Sequence, residues 1–236
     1  MAPALEIKRR HKDSLIAVQL QNPTVDPTLF DLVIAPQHDN LTAPNVLSTL
    51  GALHRVTEAR LKHEAIKFEE RYAPLPRPLV AVLVGGSNRQ YRMTANCADR
   101  LGKLLALVAR RQGAGIAITT SRRTGAGHVE LLARSLSGFS IDIWDGDGPN
   151  PYFAMLALAD AIVVTSDSVN MVSEAAATRR PVHIFELKGG STKFDRFHHA
   201  FRDRGITRPF EGHIENWEYE APDDMARAVE AVRRLL

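Results

Sequence analysis

The chain is poor in the features that most quickly betray a function. It has a single cysteine, Cys97, so no disulfide can form within it, and a reducing compartment is expected. No apolar run approaches the roughly 20 residues that span a bilayer. The start, MAPALEIKRRHKD, places no apolar segment behind its basic residues, as a secretory signal would. A cytosolic protein is therefore the expectation, with peripheral membrane association through the basic start left open. Charge of one sign is barely in excess: 30 Lys and Arg against 27 acids gives +3, too slight for a nucleic-acid footprint. Of the nine histidines, His198 and His199 are adjacent and would point in different directions on a helix, and the others lack ligand spacing. No metal is expected. Gly-x-Ser-x-Gly is absent, and so is the third spaced glycine of a dinucleotide fingerprint.

What is present is strand–helix alternation in a chain 44% hydrophobic and 24% charged. Residues 1–72 form a short first lobe. Leu15–Leu20 and Asp31–Ala35 read as strands, Leu53–Val56 as a third, and Thr57 as the cap of a helix carrying Leu61, Ala65, Phe68 and Tyr72. Residues 73–78 hold three prolines at alternate positions and read as a stiff linker. Residues 79–236 then alternate regularly. Strands are expected at Leu79–Val84, Gly115–Thr119, Ser140–Ile143, Ala161–Val164 and Pro181–Phe185, with helices between and after them. Cys97 shares a helical face with Leu101, Leu104, Leu105 and Val108, so it reads as a core thiol. The pattern implies a Rossmann-like, doubly wound parallel sheet covered by helices on both faces.

In such a sheet the first and fourth strands are neighbours, and ligands bind outside their carboxyl ends, where the winding reverses. Two turns fall there. Gly85-Gly86-Ser87-Asn88 is rich in glycine, which lets backbone approach a ligand closely. Thr165-Ser166-Asp167-Ser168 is rich in hydroxyls and opens a helix, where free N–H groups favour anions. Asp167 would repel an anion, and its expected partners are backbone or a sugar hydroxyl. Glu174, further along the same helix, could accept hydrogen bonds from a ribose diol. Cations gather at the strand ends: Arg89 and Arg92, Arg122 and Arg123, Lys188 and Lys193. A diphosphate needs such groups.

The runs GGSN, TTSRRT, NPYFAMLALADAIVVTSDSVNMVSEA and KFDRFHHAF resemble the ELM1 family, named for a plant mitochondrial-fission protein and common in bacteria. More distantly, the GGS turn and the SEA helix look like the donor domain of GT-B glycosyltransferases. The resemblance implies a GT-B-like protein that binds a nucleoside-diphosphate sugar as substrate, without metal or other cofactor. It would place the diphosphate against Gly86, Ser87 and the Ser166–Ser168 turn, and the ribose on Glu174. It also marks Ser121, Arg122, Arg123 and Lys193 as site residues. Two departures stand out. Arg179 and Arg180 precede Pro181 where such sequences carry glycine, so that helix end is expected to be strained or differently capped. The first lobe is also shorter than the family's; a shortened lobe would leave an apolar surface for a homodimer to cover. No catalytic base can be named. Two other readings stand beside this one: a non-catalytic scaffold that recruits a protein partner at a membrane surface, and a sugar-nucleotide epimerase using His54, Asp167 or Glu186.

Overall fold

The computed structural model describes residues 2–11 and 14–236. The chain opens with α1 (Ala2–Arg10), β1 (Val18–Leu20), β2 (Leu32–Pro36) and β3 (Val46–Thr49). Then α2 (Glu58–Lys67) and the one-turn α3 (Glu69–Tyr72) lead into β4 (Leu79–Val84). A two-residue β5 (Tyr91–Arg92) precedes α4 (Ala95–Gln112), β6 (Gly115–Thr120), α5 (Ala126–Ser135) and β7 (Ile141–Trp144). The alternation continues through α6 (Tyr152–Leu158), β8 (Ala161–Thr165), α7 (Val169–Ala176) and β9 (Val182–Phe185). The last elements are β10 (Lys188–Gly189), α8 (Thr192–Asp203), β11 (Thr207–Pro209) and α9 (Asp224–Arg233).

Two compact units result. One comprises the residues up to His54 together with Pro222–Leu236, the other Arg55–Ala221. The first is a parallel sheet in the order β1-β2-β3. Its middle strand is apolar on both faces: Val33 and Ala35 pack with Phe30, Leu5 and Val46, while Leu32 and Ile34 pack with Ala228 and Val232 of the last helix and with Leu235 just after it. Asp224, buried at the head of α9, accepts the backbone N–H groups of Leu50 (3.0 Å) and Gly51 (2.9 Å). These bonds tie the end of the chain to the loop after β3.

The second unit is a six-stranded parallel sheet in the order β11-β9-β8-β4-β6-β7. The central strands are buried along their whole length, as continuous apolar runs in a helix-covered sheet should be. Their pairing puts β4 beside β8, so the winding reverses between them as expected. The helix caps are those the sequence offers. Thr94 accepts from Cys97 N–H at 3.2 Å to start α4, and Gly113, at φ 66°, ends it. Cys97, Leu101, Leu105 and Val108 form the buried stripe of α4.

Several boundaries differ from those the sequence suggested. The third strand is Val46–Thr49, and Leu53–Val56 is irregular. The sheet gains β11, three residues ending in Pro209; a proline is tolerated at this edge and hides the strand in the sequence. The units divide after His54 because α2 packs on α6 of the second unit. The proline run is likewise docked within that unit. Gly115 N–H is shared between the Pro76 and Pro78 carbonyls, each at 3.1 Å, and Asp160 accepts from Arg77 (2.9 Å) and Leu79 N–H (2.6 Å).

The irregular helix end is real. Arg179 sits at φ 61°, in the left-handed region, while the Tyr219 hydroxyl reaches the carbonyls of Ala176 (3.1 Å) and Arg180 (2.8 Å). A β-carbon costs about 1 kcal/mol or more in that conformation, and glycine gives back part of the gain through its looser unfolded chain. Arg179→Gly should therefore stabilise the chain by about 0.5–1 kcal/mol, raising the melting temperature by roughly 1–4 °C. Calorimetry or thermal unfolding by circular dichroism checks this, and an unchanged or lowered midpoint would contradict it.

Candidate functional site

The two turns at the reversal point meet through direct bonds. Gly85 N–H donates to the Thr165 hydroxyl at 2.8 Å, and that hydroxyl donates to Asp167 Oδ1 at 2.7 Å. Gly86 N–H donates to Asp167 Oδ2 at 3.0 Å, and Arg123 Nη1 stands 2.9 Å from the same oxygen. The Asp167 side chain has no solvent exposure. It thus fills the place that the glycine pair opens: a Cβ on Gly85 would overlap this carboxylate. Gly86, at φ 152°, passes so close to the Arg123 carbonyl that a side chain could not fit there either. From the other side, the hydroxyls of Ser121 (2.6 Å) and Thr124 (2.5 Å) both donate to the Gly85 carbonyl.

The structure therefore gathers Gly85, Gly86, Ser121, Arg123, Thr165 and Asp167 into one hydrogen-bonded knot, and the other side chains of the turns take up local bonds, mostly as acceptors. Ser87 Oγ accepts from Met93 N–H at 3.0 Å. Asn88 accepts from Gln90 and Tyr91 N–H, each at 2.8 Å, and donates to the Asp167 carbonyl at 3.2 Å. Ser166 faces away from the crevice. Its hydroxyl accepts from Leu187 N–H (3.0 Å), and its carbonyl accepts from His198 Nε2 (2.8 Å), a bond that makes Nε2 the protonated nitrogen. Ser168 caps α7 through Met171 N–H at 3.4 Å. Arg122 and Lys193 lie exposed on the surface. A ladder that the sequence did not reveal, β5 paired antiparallel with β10, joins the loops after β4 and β9.

Glu174 lies elsewhere on α7, in a cleft of about 340 Å³. The cleft is lined by Arg55, Arg60, Glu64 and Lys67 from the α2 segment, and by Asn150, Tyr152 and Phe153 at the head of α6. None of the residues of the two turns lines it. Tyr152 donates its hydroxyl to Glu174 Oε2 at 2.6 Å. Burial raises the carboxyl's pKa, against the lowering pull of that hydrogen bond and of Arg55 and Arg60. The Arg60 guanidinium lies over the Phe153 ring, 3.6 Å from its centroid, which orders its plane while leaving the edge N–H groups available.

The mitochondrial fission ELM1 family model matches residues 1–236. The chain belongs to the mitochondrial fission ELM1 family. It is 33% identical over 260 residues to mitochondrial fission protein ELM1 of Arabidopsis thaliana, covering 99% of this chain and 61% of that one. It is 25% identical to an uncharacterized protein, RP120, of Rickettsia prowazekii, covering 95% of this chain and 74% of that one. This ELM1-family chain thus spans about three fifths of the plant relative's length. Among solved structures it resembles UDP-GlcNAc 2-epimerase from Methanocaldococcus jannaschii (TM-score 0.52, 12% identity, 98% of this chain and 73% of that one). It also resembles Acinetobacter baumannii MurG (TM-score 0.51, 14% identity, 89% and 57%). At those identities the likeness establishes the fold, which is GT-B-like. Among the described residues no group of three His, Cys, Asp or Glu could hold a metal, and no helix is long and apolar enough to cross a membrane.

The residues that sequence reasoning missed are Thr124, Tyr152, Arg55, Arg60 and Lys67. Thr124 is legible only as part of TTSRRT. The α2 cations looked like an ordinary helix surface, because nothing in the sequence says that α2 faces Glu174.

Two outcomes follow for the ELM1-family chain. Asp167→Ala strands the Gly86 N–H and the Thr165 hydroxyl without partners, while Arg123, with a side chain 40% exposed, can turn to water. The loss should be about 2–4 kcal/mol in urea unfolding, set by the buried donors rather than by the ion pair. A loss under ~1 kcal/mol would mean that water replaces the carboxylate. Glu174 works in the opposite direction. Its folded pKa lies above the ordinary 4.5, so the fold binds its proton more tightly than the unfolded chain does. The stability this confers is full below that value and is lost as pH rises through the folded pKa. Glu174→Gln should therefore match the parent at low pH and exceed it in stability at neutral pH, as pH-dependent denaturation would show.

Proposed function

We propose that the second unit binds a nucleoside-diphosphate sugar, as a GT-B-like domain would, with Glu174 accepting the ribose hydroxyls. The observation that carries this is the Glu174 cleft: a half-buried carboxylate held by Tyr152, beside three cations and an aromatic ring. A ribose diol supplies the two donors that such a carboxylate can take, and a diphosphate supplies the charge that the cations lack. The name of the archaeal neighbour, a UDP-GlcNAc 2-epimerase, makes UDP-GlcNAc the first ligand to try. Whether a sugar is transferred, epimerised or only bound belongs to the whole protein, of which this chain matches part.

A non-catalytic reading rests on a different observation. The Asp167 carboxylate already occupies the inner donors of the switch-point turns, so a GT-B-like frame could persist without a ligand and serve as a scaffold recruiting a partner at a membrane surface. Thermal shift with the full chain separates the two. UDP-GlcNAc, or another member of a panel of uridine, guanosine, thymidine and cytidine sugar nucleotides, should raise the melting temperature. Saturation a hundredfold above Kd corresponds to about 2.7 kcal/mol. Glu174→Ala should abolish the shift. No shift across the panel, together with a partner captured equally by the parent and by Glu174→Ala, would favour the scaffold.

A further inference from the structure

We infer that the diphosphate of the ligand sits in the Glu174 cleft, on Arg55, Arg60 and Lys67, and not in the two turns at the reversal point. This rests on the nucleotide-sugar reading for the identity of the ligand, and it assigns the phosphate seat to residues that no motif marks. Three observations carry it.

The first is that the turns are already occupied. A phosphate there would have to displace a fully buried carboxylate from Gly86 N–H, from the Thr165 hydroxyl and from Arg123. The Ser166 and Ser168 hydroxyl oxygens already accept from Leu187 and Met171 N–H, which leaves only their protons to meet an anion. Displacing the Asp167 carboxylate would leave it without the partners that offset its burial.

The second is that the cleft carries three cations against two acids, with none of the cations held in a close ion pair. Among the described residues, no acid comes within ion-pair distance of Arg55, Arg60 or Lys67, although Glu64 and Glu174 line the same cleft. By contrast, Arg123 and Arg71 each have a carboxylate partner. Arg60 is also pre-ordered on Phe153, so engaging an anion costs it little side-chain entropy.

The third is size. About 340 Å³ is at the lower end of ligand pockets, which run roughly 300–1,000 Å³. That suits a ribose with its phosphates, not a whole nucleotide sugar. The sugar end would project out of the cleft, away from Glu174.

The experiment measures Kd by calorimetry on the full chain for uridine, UMP, UDP, UDP-GlcNAc and inorganic pyrophosphate. Variants are Arg55→Gln, Lys67→Gln and their double, with Arg123→Gln as the competing location. Arg60→Gln is added once its melting temperature shows that the fold is kept. Each charge-assisted phosphate bond lost should weaken UDP about 10- to 100-fold. The double should also lower the salt dependence of UDP binding, leave uridine unchanged and remove pyrophosphate binding. Arg123→Gln, used once its melting temperature shows that the knot is kept, should change UDP affinity less than about twofold. The inference is overturned if UDP and UDP-GlcNAc bind in a Glu174-dependent way that Arg123→Gln disrupts and the α2 double does not; the nucleotide-sugar reading would then survive. If pyrophosphate binds through the α2 cations but no nucleotide binds, the phosphate seat stands and the nucleotide reading falls. If neither pyrophosphate nor any nucleotide binds, both fall.

Discussion

A carboxylate shut away from water must have its charge and its lone pairs answered by the protein, and at the centre of this sheet one is. Asp167 takes Gly86 N–H, the Thr165 hydroxyl and Arg123, so the carboxyl ends of β4 and β8 are joined by side-chain bonds beyond the last strand pair. Desolvating the carboxylate is expensive, and only this complete set of partners makes it tolerable. The constraint spreads outward. Gly85 must be glycine because the carboxylate fills its side-chain space. Ser121 and Thr124 are drawn in because the Gly85 carbonyl, turned away from the strand ladder, needs donors of its own.

This knot fixes where α7 begins, and α7 then sets the position of Glu174. The helix starts at Ser168, directly after Asp167, and Glu174 follows roughly 9 Å along the axis at 1.5 Å per residue. Its carboxylate emerges against α6, where Tyr152 meets it, and against the α2 segment with its cations. The two regions are thus mechanically linked but chemically opposite: the knot holds a negative charge already neutralised, and the cleft holds positive charge still in excess.

The fold was legible in the sequence because it is written in long, regular signals. Buried runs such as Leu79–Val84 and Ala161–Thr165, separated by amphipathic helices, leave little but a parallel sheet with β4 next to β8. Short elements escaped. Two- and three-residue strands such as β5, β10 and β11 have no periodicity to read and exist only because a neighbour offers a ladder. The prolines of residues 73–78 looked like a stiff linker, since proline breaks regular structure. Their carbonyls nevertheless remain good acceptors, and Gly115 uses two of them. Arg179 was visible as a misfit because the left-handed position it occupies is a purely local demand. At the site, the meeting of the two turns was legible from topology, and the charge of Asp167 already argued for a backbone partner. What the sequence could not convey is occupancy. What partners a hydroxyl oxygen has already taken depends on backbone groups outside its own turn, such as Leu187 N–H for Ser166 or Met93 N–H for Ser87.

That difference bears on how far family resemblance can be carried. Motif similarity transfers backbone shape well, since glycine and cap positions encode it directly. It transfers ligand contacts poorly, since one carboxylate folded inward consumes the donors that the same backbone elsewhere would turn outward. A GT-B-like frame can therefore keep the turn sequence that typically accompanies phosphate binding while using it as an internal fastener. If the frame still takes a phosphorylated ligand, the charge must be met by residues outside the motif. The cleft around Glu174 combines cations outside any ion pair with a half-buried carboxylate. On the proposed reading, the GGSN and TSDS runs set the geometry of α7, and a ligand would meet the residues that α7 and α2 bring face to face.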